Sequence, residues 1–208
     1  MITKSDVYQF VKDLLYKSKY GLTEEECFTG IKEACDLFGM PMPQLIQDVT
    51  GKKDRQTASQ SNYPSTFFDD FLYYNLEELK TVGVDDYTAF TLVFTHECAH
   101  RYFQNRLLPG PNYGQWEGEL VADFFMGVRA SLQHMDISKV INGLARRGGS
   151  GTHPTGFLRR DYIVYGMQEA NFHLIKGKPF DIEDYFQCFL GYRLNHLDEL
   201  RKAELTVY

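Results

Sequence analysis

The chain is expected to fold as an α+β protein, mostly helical with one small sheet. Three features carry that expectation. Apolar residues recur at helical spacing over much of the 208 residues, and capping and breaking residues stand where that spacing starts and stops. One short run rich in Phe and Tyr suits a strand. The composition agrees: 43% hydrophobic residues, with 14 Tyr and 16 Phe among them, supply enough apolar surface for a core and argue against disorder.

Ser5 and Asp6 are expected to cap a first helix with apolar residues at Val7, Phe10, Val11, Leu14 and Leu15, closed by Gly21. Thr23 and Glu26 have the spacing of a capping box for a second helix, which carries Phe28, Ile31, Cys35 and Phe38 and closes at Gly39. Met40–Pro43 then enforces a turn. Residues 1–50 thus read as an N-terminal helical region, and Gly51–Ser65, polar and without periodicity, as a loop or linker. Residues 66–208 read as the main domain. It begins with the aromatic strand Thr66–Leu76, whose Tyr73 and Tyr74 could both pack and line a groove if the strand lies at a sheet edge. A helix capped by Asp85 and Asp86 follows to about Leu107, where Pro109–Gly114 breaks it. Further helices are expected over Trp116–Leu132, Ile137–Ala145, Pro154–Ile175 and from Asp181 to about Arg201.

The charge balance, 22 basic against 28 acidic residues for a net −6, gives no footprint for nucleic acid or an anionic membrane. The longest near-continuous apolar stretch, Tyr87–Phe94, is far too short to span a bilayer, and the first residues lack a signal-like apolar region. Cys27, Cys35, Cys98 and Cys188 are scattered, which favours free thiols in a reducing, cytoplasmic setting.

The chemically informative segment is His96-Glu97-Cys98-Ala99-His100, an H-E-x-x-H. Residues four apart share a helix face, so both imidazoles can address one Zn²⁺. Glu97 lies about 100° round the helix from His96, where it can act as a general base without being a ligand. The run is strongly apolar, and burying His, Glu and His together without a partner is expensive. Glu119 follows His100 after a turn and the start of another helix, a layout that brings a carboxylate back over the metal. Asp123, one turn beyond on the same face, is placed to accept a hydrogen bond from a ligand imidazole. Glu117 is the rival. It points elsewhere and reads as a first-turn acid complementing the helix dipole. Cys98 reads as a packed thiol, and His134, His173 and His196 as structural.

His96-Glu-Cys-Ala-His100, Glu119-Leu-Val-Ala-Asp123 and Thr152-His153-Pro154 with Arg159 downstream resemble the three-part signature of gluzincin-type zinc metallopeptidases. Among these are the HtpX-like peptidases and the soluble neutral zinc metallopeptidases. The resemblance spans about residues 66–166. It departs from the HtpX-like pattern in the His-Pro-Thr of the third block, in its shorter gap before Glu119 and in lacking transmembrane helices. It implies a zincin-like fold, with one Zn²⁺ per chain held by His96, His100 and Glu119. Glu97 is then the catalytic base and Asp123 a supporting residue of the cofactor site. His153 is either a residue that stabilises an oxyanion or binds substrate, or simply the start of a helix with proline in its first turn. Arg159 either pairs with an acid near the metal or faces solvent, with Arg160 as its neighbour-by-one alternative.

The expected activity is that of a zinc-dependent metallopeptidase, hydrolysing a peptide or protein substrate with a metal-activated water and Glu97 as base. An extended substrate could add to a free sheet edge. The alternatives are a regulatory peptidase with a single protein target and a catalytically inert zinc-binding interaction module, the latter requiring a fourth protein ligand such as His153. Oligomeric state is open.

Overall fold

Thr3, Thr23, Asn75, Thr155 and Asp181 each start a helix with a side chain that accepts from exposed N–H groups of the first turn, and at Thr3 and Thr23 this is a full capping box. The computed structural model describes residues 3–47, 65–68, 71–103, 106, 116–145, 148–149 and 153–196. In chain order these form α1 (Lys4–Tyr20), α2 (Glu24–Leu37), β1 (Gln44–Gln47), β2 (Ser65–Phe68), β3 (Phe71–Tyr74), α3 (Leu76–Thr81), α4 (Tyr87–Phe103), α5 (Trp116–Leu132), α6 (Ser138–Ala145), α7 (Gly156–Ile175) and α8 (Ile182–Asn195). The protein is therefore mostly helical with a small sheet. Among the described residues no helix is long and apolar enough to cross a membrane, and all four cysteines are free. The chain forms two compact units, residues 1–94 and 95–208, divided within α4.

In the first unit, Thr3 caps α1 and its box partner is Asp6, so the helix starts earlier than a Ser5–Asp6 cap requires. The apolar spacing that announces α1 does not bury it: Phe10, Leu14 and Leu15 are exposed, and Tyr20 is its buried residue. The Thr23–Glu26 box forms as expected. The buried face of α2 is Cys27, Gly30, Ile31, Ala34 and Cys35, which leaves Phe28 exposed.

The sheet departs from the sequence reading. β1, expected within a helical region, pairs parallel with β3, and β2 pairs antiparallel with it, giving the order β1-β3-β2. The expected single strand over Thr66–Leu76 is thus two strands and the start of a helix. Asn75 ends the pairing because its side chain accepts from Glu78 N–H and caps α3. β3 is central, not an edge, so Tyr73 and Tyr74 are buried and line no groove. Tyr74 instead packs edge-on against Phe90 and Phe94 of α4.

In the second unit α5 is buried along most of its length, the charged Glu117, Asp123 and Arg129 included. It crosses α7 at two glycines. A Cβ on Gly127 would lie 2.0 Å from Ile163 O, and one on Gly166 would lie 2.1 Å from Phe124 O. Only hydrogen at both positions lets the two backbones meet. Phe103, at the end of α4, stacks on Phe125 of α5 and Phe186 of α8.

Boundaries here follow the sequence closely, with two corrections. Thr155, not Pro154, is the residue that caps α7, since its side chain accepts from Leu158 N–H. α8 ends at Asn195 with His196 as its cap, short of Arg201. Of the linker expected over Gly51–Ser65, Ser65 instead begins β2, and the rest, with the breaker at 109–114 and Thr152, lies outside the described residues.

Candidate metal centre

Three elements of the second unit build the site. The helix α4 turns His96 and His100 to one side, while Cys98, Ala99 and Phe103 are buried. The two imidazole Nε2 atoms stand 2.9 Å apart. Across from them, α5 presents Glu119, with Oε2 3.5 Å from His96 Nε2 and Oε1 3.3 Å from His100 Nε2. One donor atom from each of the three residues lies within 4.8 Å of the other two.

The next layer fixes these donors. Asp123, one turn after Glu119, has no exposed surface and sits with Oδ1 3.0 Å from His96 Nδ1. A carboxylate there favours a ring proton on Nδ1, so the nitrogen that a ligated His96 would offer is Nε2, on the side of Glu119 and His100. Arg159 of α7 donates from Nε to Asp123 Oδ2 at 2.7 Å and from Nη2 to Oδ1 at 2.9 Å. The same guanidinium reaches Glu119 Oε2 at 3.4 Å. Arg159 is thus buried against the acids, whereas Arg160 is exposed and pairs with Asp161.

Glu117 faces another way. It is buried and paired with Arg193 of α8, a stronger engagement than the first-turn dipole role expected of it. His153 lies just before α7 with Nε2 3.4 Å from Glu119 Oε1, its side chain one-quarter exposed. Pro154 precedes the cap and is not in the first turn, so the helix-start reading of this block shifts by a residue. Among the described residues the converging group is His96, His100 and Glu119 without His153. Glu97 is half-buried. Its charge is felt at Arg159, where burial disfavours the cation but Asp123, Glu119 and Glu97 hold the proton firmly in place.

The electrostatics follow from this packing. Burial opposes a charged His96, but Asp123 and Glu119 outweigh it and hold the imidazole pKa up to about 9. Burial likewise opposes ionisation of Glu119, and contacts with His100 and His96 drive its carboxyl far below the usual range. Asp123 is held low mainly by Arg159 against its own burial. Three carboxylates, those of Glu97, Glu119 and Asp123, face a single guanidinium, and the surplus negative charge suits a cation at the imidazole pair. Two imidazole nitrogens and one carboxylate oxygen are a donor set that fits Zn²⁺, which would displace the proton His96 otherwise holds.

Of the remaining histidines, His134 occupies a left-handed turn after α5 with φ 52°, and His196 stacks on Tyr192. His173 is buried between α7 and α8. Comparison of the chain with models of protein families, with curated proteins and with solved structures finds no match.

Proposed function

We propose that this protein is a zinc-dependent metallopeptidase of zincin-like architecture, with His96, His100 and Glu119 as metal ligands. The observation that carries the reading is the convergence of these three donors within 4.8 Å, with the glutamate beside the first histidine left out of the group.

When bound, the ion supplies Lewis acidity for a scissile carbonyl and lowers the pKa of water towards about 7. The rest is done by the chain. Glu97 takes the proton of the attacking water and hands it to the departing amine, a role that requires it to stay unligated. Asp123 holds the His96 ring, and Arg159 holds both Asp123 and Glu119, so neither carboxylate can swing away. His153, partly open to solvent beside Glu119, supplies an imidazole at the developing oxyanion.

The test pairs metal analysis with hydrolysis of a panel of unfolded protein substrates for the wild-type protein and Glu97→Gln. Equal zinc contents are expected, with hydrolysis reduced by roughly 10²–10⁴-fold in the variant. Equal hydrolysis by both proteins would remove the mechanism.

A further inference from the structure

A second group of ligating side chains lies elsewhere in the same unit, between α7 and α8. Glu169 and His173 are four apart on α7 and therefore share a face. Cys188 comes from α8, on the far side of the turn that holds Gly177 at φ 65°. One donor atom from each, a carboxylate oxygen, an imidazole nitrogen and the sulfur, lies within 4.8 Å of the other two. We propose that Glu169, His173 and Cys188 form a second binding site for a borderline-soft divalent cation of the zinc class, which fastens α7 to α8.

Three features of the surroundings support it. His173 is 4% exposed and its Nδ1 is buried with no hydrogen-bond partner, a cost that ligation or a tautomer fixed by ligation offsets. The ring is fixed in place by Tyr185, at 4.7 Å between centroids, so it is pre-oriented and cannot easily turn to water. The carboxylate of Glu169 lies with the Cys188 sulfur and the His173 ring in one group, so the acid is already beside both other donors. Glu169 and Cys188 are half-buried, giving an ion a path from solvent to the imidazole below.

The donor chemistry sets the cation class. A thiolate with one nitrogen and one oxygen selects zinc or cobalt over magnesium or calcium, which require oxygen cages. A thiol ligates as the thiolate, so its proton is displaced to solvent on binding and binding weakens as the pH falls. The site shares no residue with the His96–His100–Glu119 group, so it stands or falls apart from the peptidase reading.

Cobalt distinguishes the two sites, because only this one contains sulfur. The full-length protein, stripped by chelator dialysis and titrated with Co²⁺ alone, is expected to bind two equivalents. One should be accompanied by thiolate-to-cobalt charge-transfer absorption. Cys188→Ser and His173→Gln should each abolish that band and one equivalent, with helical circular dichroism kept. His100→Gln should lose the other equivalent and keep the band. A wild-type protein that saturates without a charge-transfer band, or a band that survives in Cys188→Ser, overturns the proposal.

Discussion

Arg159 on α7 grips Asp123 on α5 through two parallel hydrogen bonds, at 2.7 and 2.9 Å, while the same carboxylate faces His96 Nδ1 at 3.0 Å. A single buried acid thus orients a candidate ligand on one side and is neutralised on the other. Lysine at position 159 keeps the positive charge but loses the planar fork. Arg159→Lys is expected to fold and to bind zinc about 10–100-fold more weakly, measured by competition with a chromophoric chelator. Unchanged affinity would show that Arg159 balances charge without positioning the His96 ring.

Glu117 and Glu119, two residues apart on one helix, are expected to fail in opposite ways. Glu119→Gln removes the charged donor between the two imidazoles and should lose the metal at that site. Glu117→Gln should keep it, because Glu117 is engaged with Arg193. Its cost falls on folding: removing the charge from one side of a buried ion pair destabilises by about 3–5 kcal/mol. Metal content and thermal midpoint measured on both variants separate the roles. Metal loss in Glu117→Gln with full retention in Glu119→Gln would reverse the ligand assignment.

What could be read beforehand is what local geometry dictates. A helix places positions 96 and 100 on one face whatever surrounds it, and the Thr23–Glu26 box is complete within four residues, so both are visible in the chain. β1 is not. Its four residues carry only Leu45 and Ile46 as apolar signal, and its pairing partner β3 lies beyond a long stretch of sequence. The helix start inside the aromatic run was hidden for a different reason: Asn75 is weak as a breaker and acts here as the cap of α3. The group at Glu169, His173 and Cys188 has a detectable i, i+4 pair, but its third member comes from another helix, and only packing joins them.

The box that starts α2 also makes a pH prediction. Burial raises the pKa of Glu26, but Lys17 Nζ at 2.7 Å and Thr23 N–H at 2.7 Å outweigh it and hold the carboxyl below its usual 4.5. A folded-state value lower than the unfolded one adds stability above the unfolded value, and that stability is lost as the pH falls through the folded value. Glu26→Gln retains an acceptor for Thr23 but has no charge to lose. The stability difference between wild type and Glu26→Gln in urea should therefore favour wild type at about pH 7 and shrink as the pH falls below the unfolded value and through the lower folded one. A difference that widened on acidification would have the wrong sign for this ion pair.

The contact between α5 and α7 decides whether the site can assemble at all. Glu119 and Asp123 ride on one helix and Arg159 on the other, and the crossing at Gly127 and Gly166 sets their separation. Alanine at 166 would put a methyl 2.1 Å from Phe124 O and 3.1 Å from Val128 N, both backbone atoms that no rotamer change can move aside. The helices must part, so Gly166→Ala should cost at least about 1–3 kcal/mol, and it should weaken zinc binding because the Arg159–Asp123 fork is stretched. Gly143, on α6 with nothing within 4 Å of its added Cβ, provides the opposite case. There the same substitution only removes backbone freedom from the unfolded chain and should stabilise by about 0.5–1 kcal/mol. If urea titrations gave Gly166→Ala the stability and zinc affinity of wild type, the two backbones would not be in contact. The placement of Asp123 against Arg159 would then need another cause.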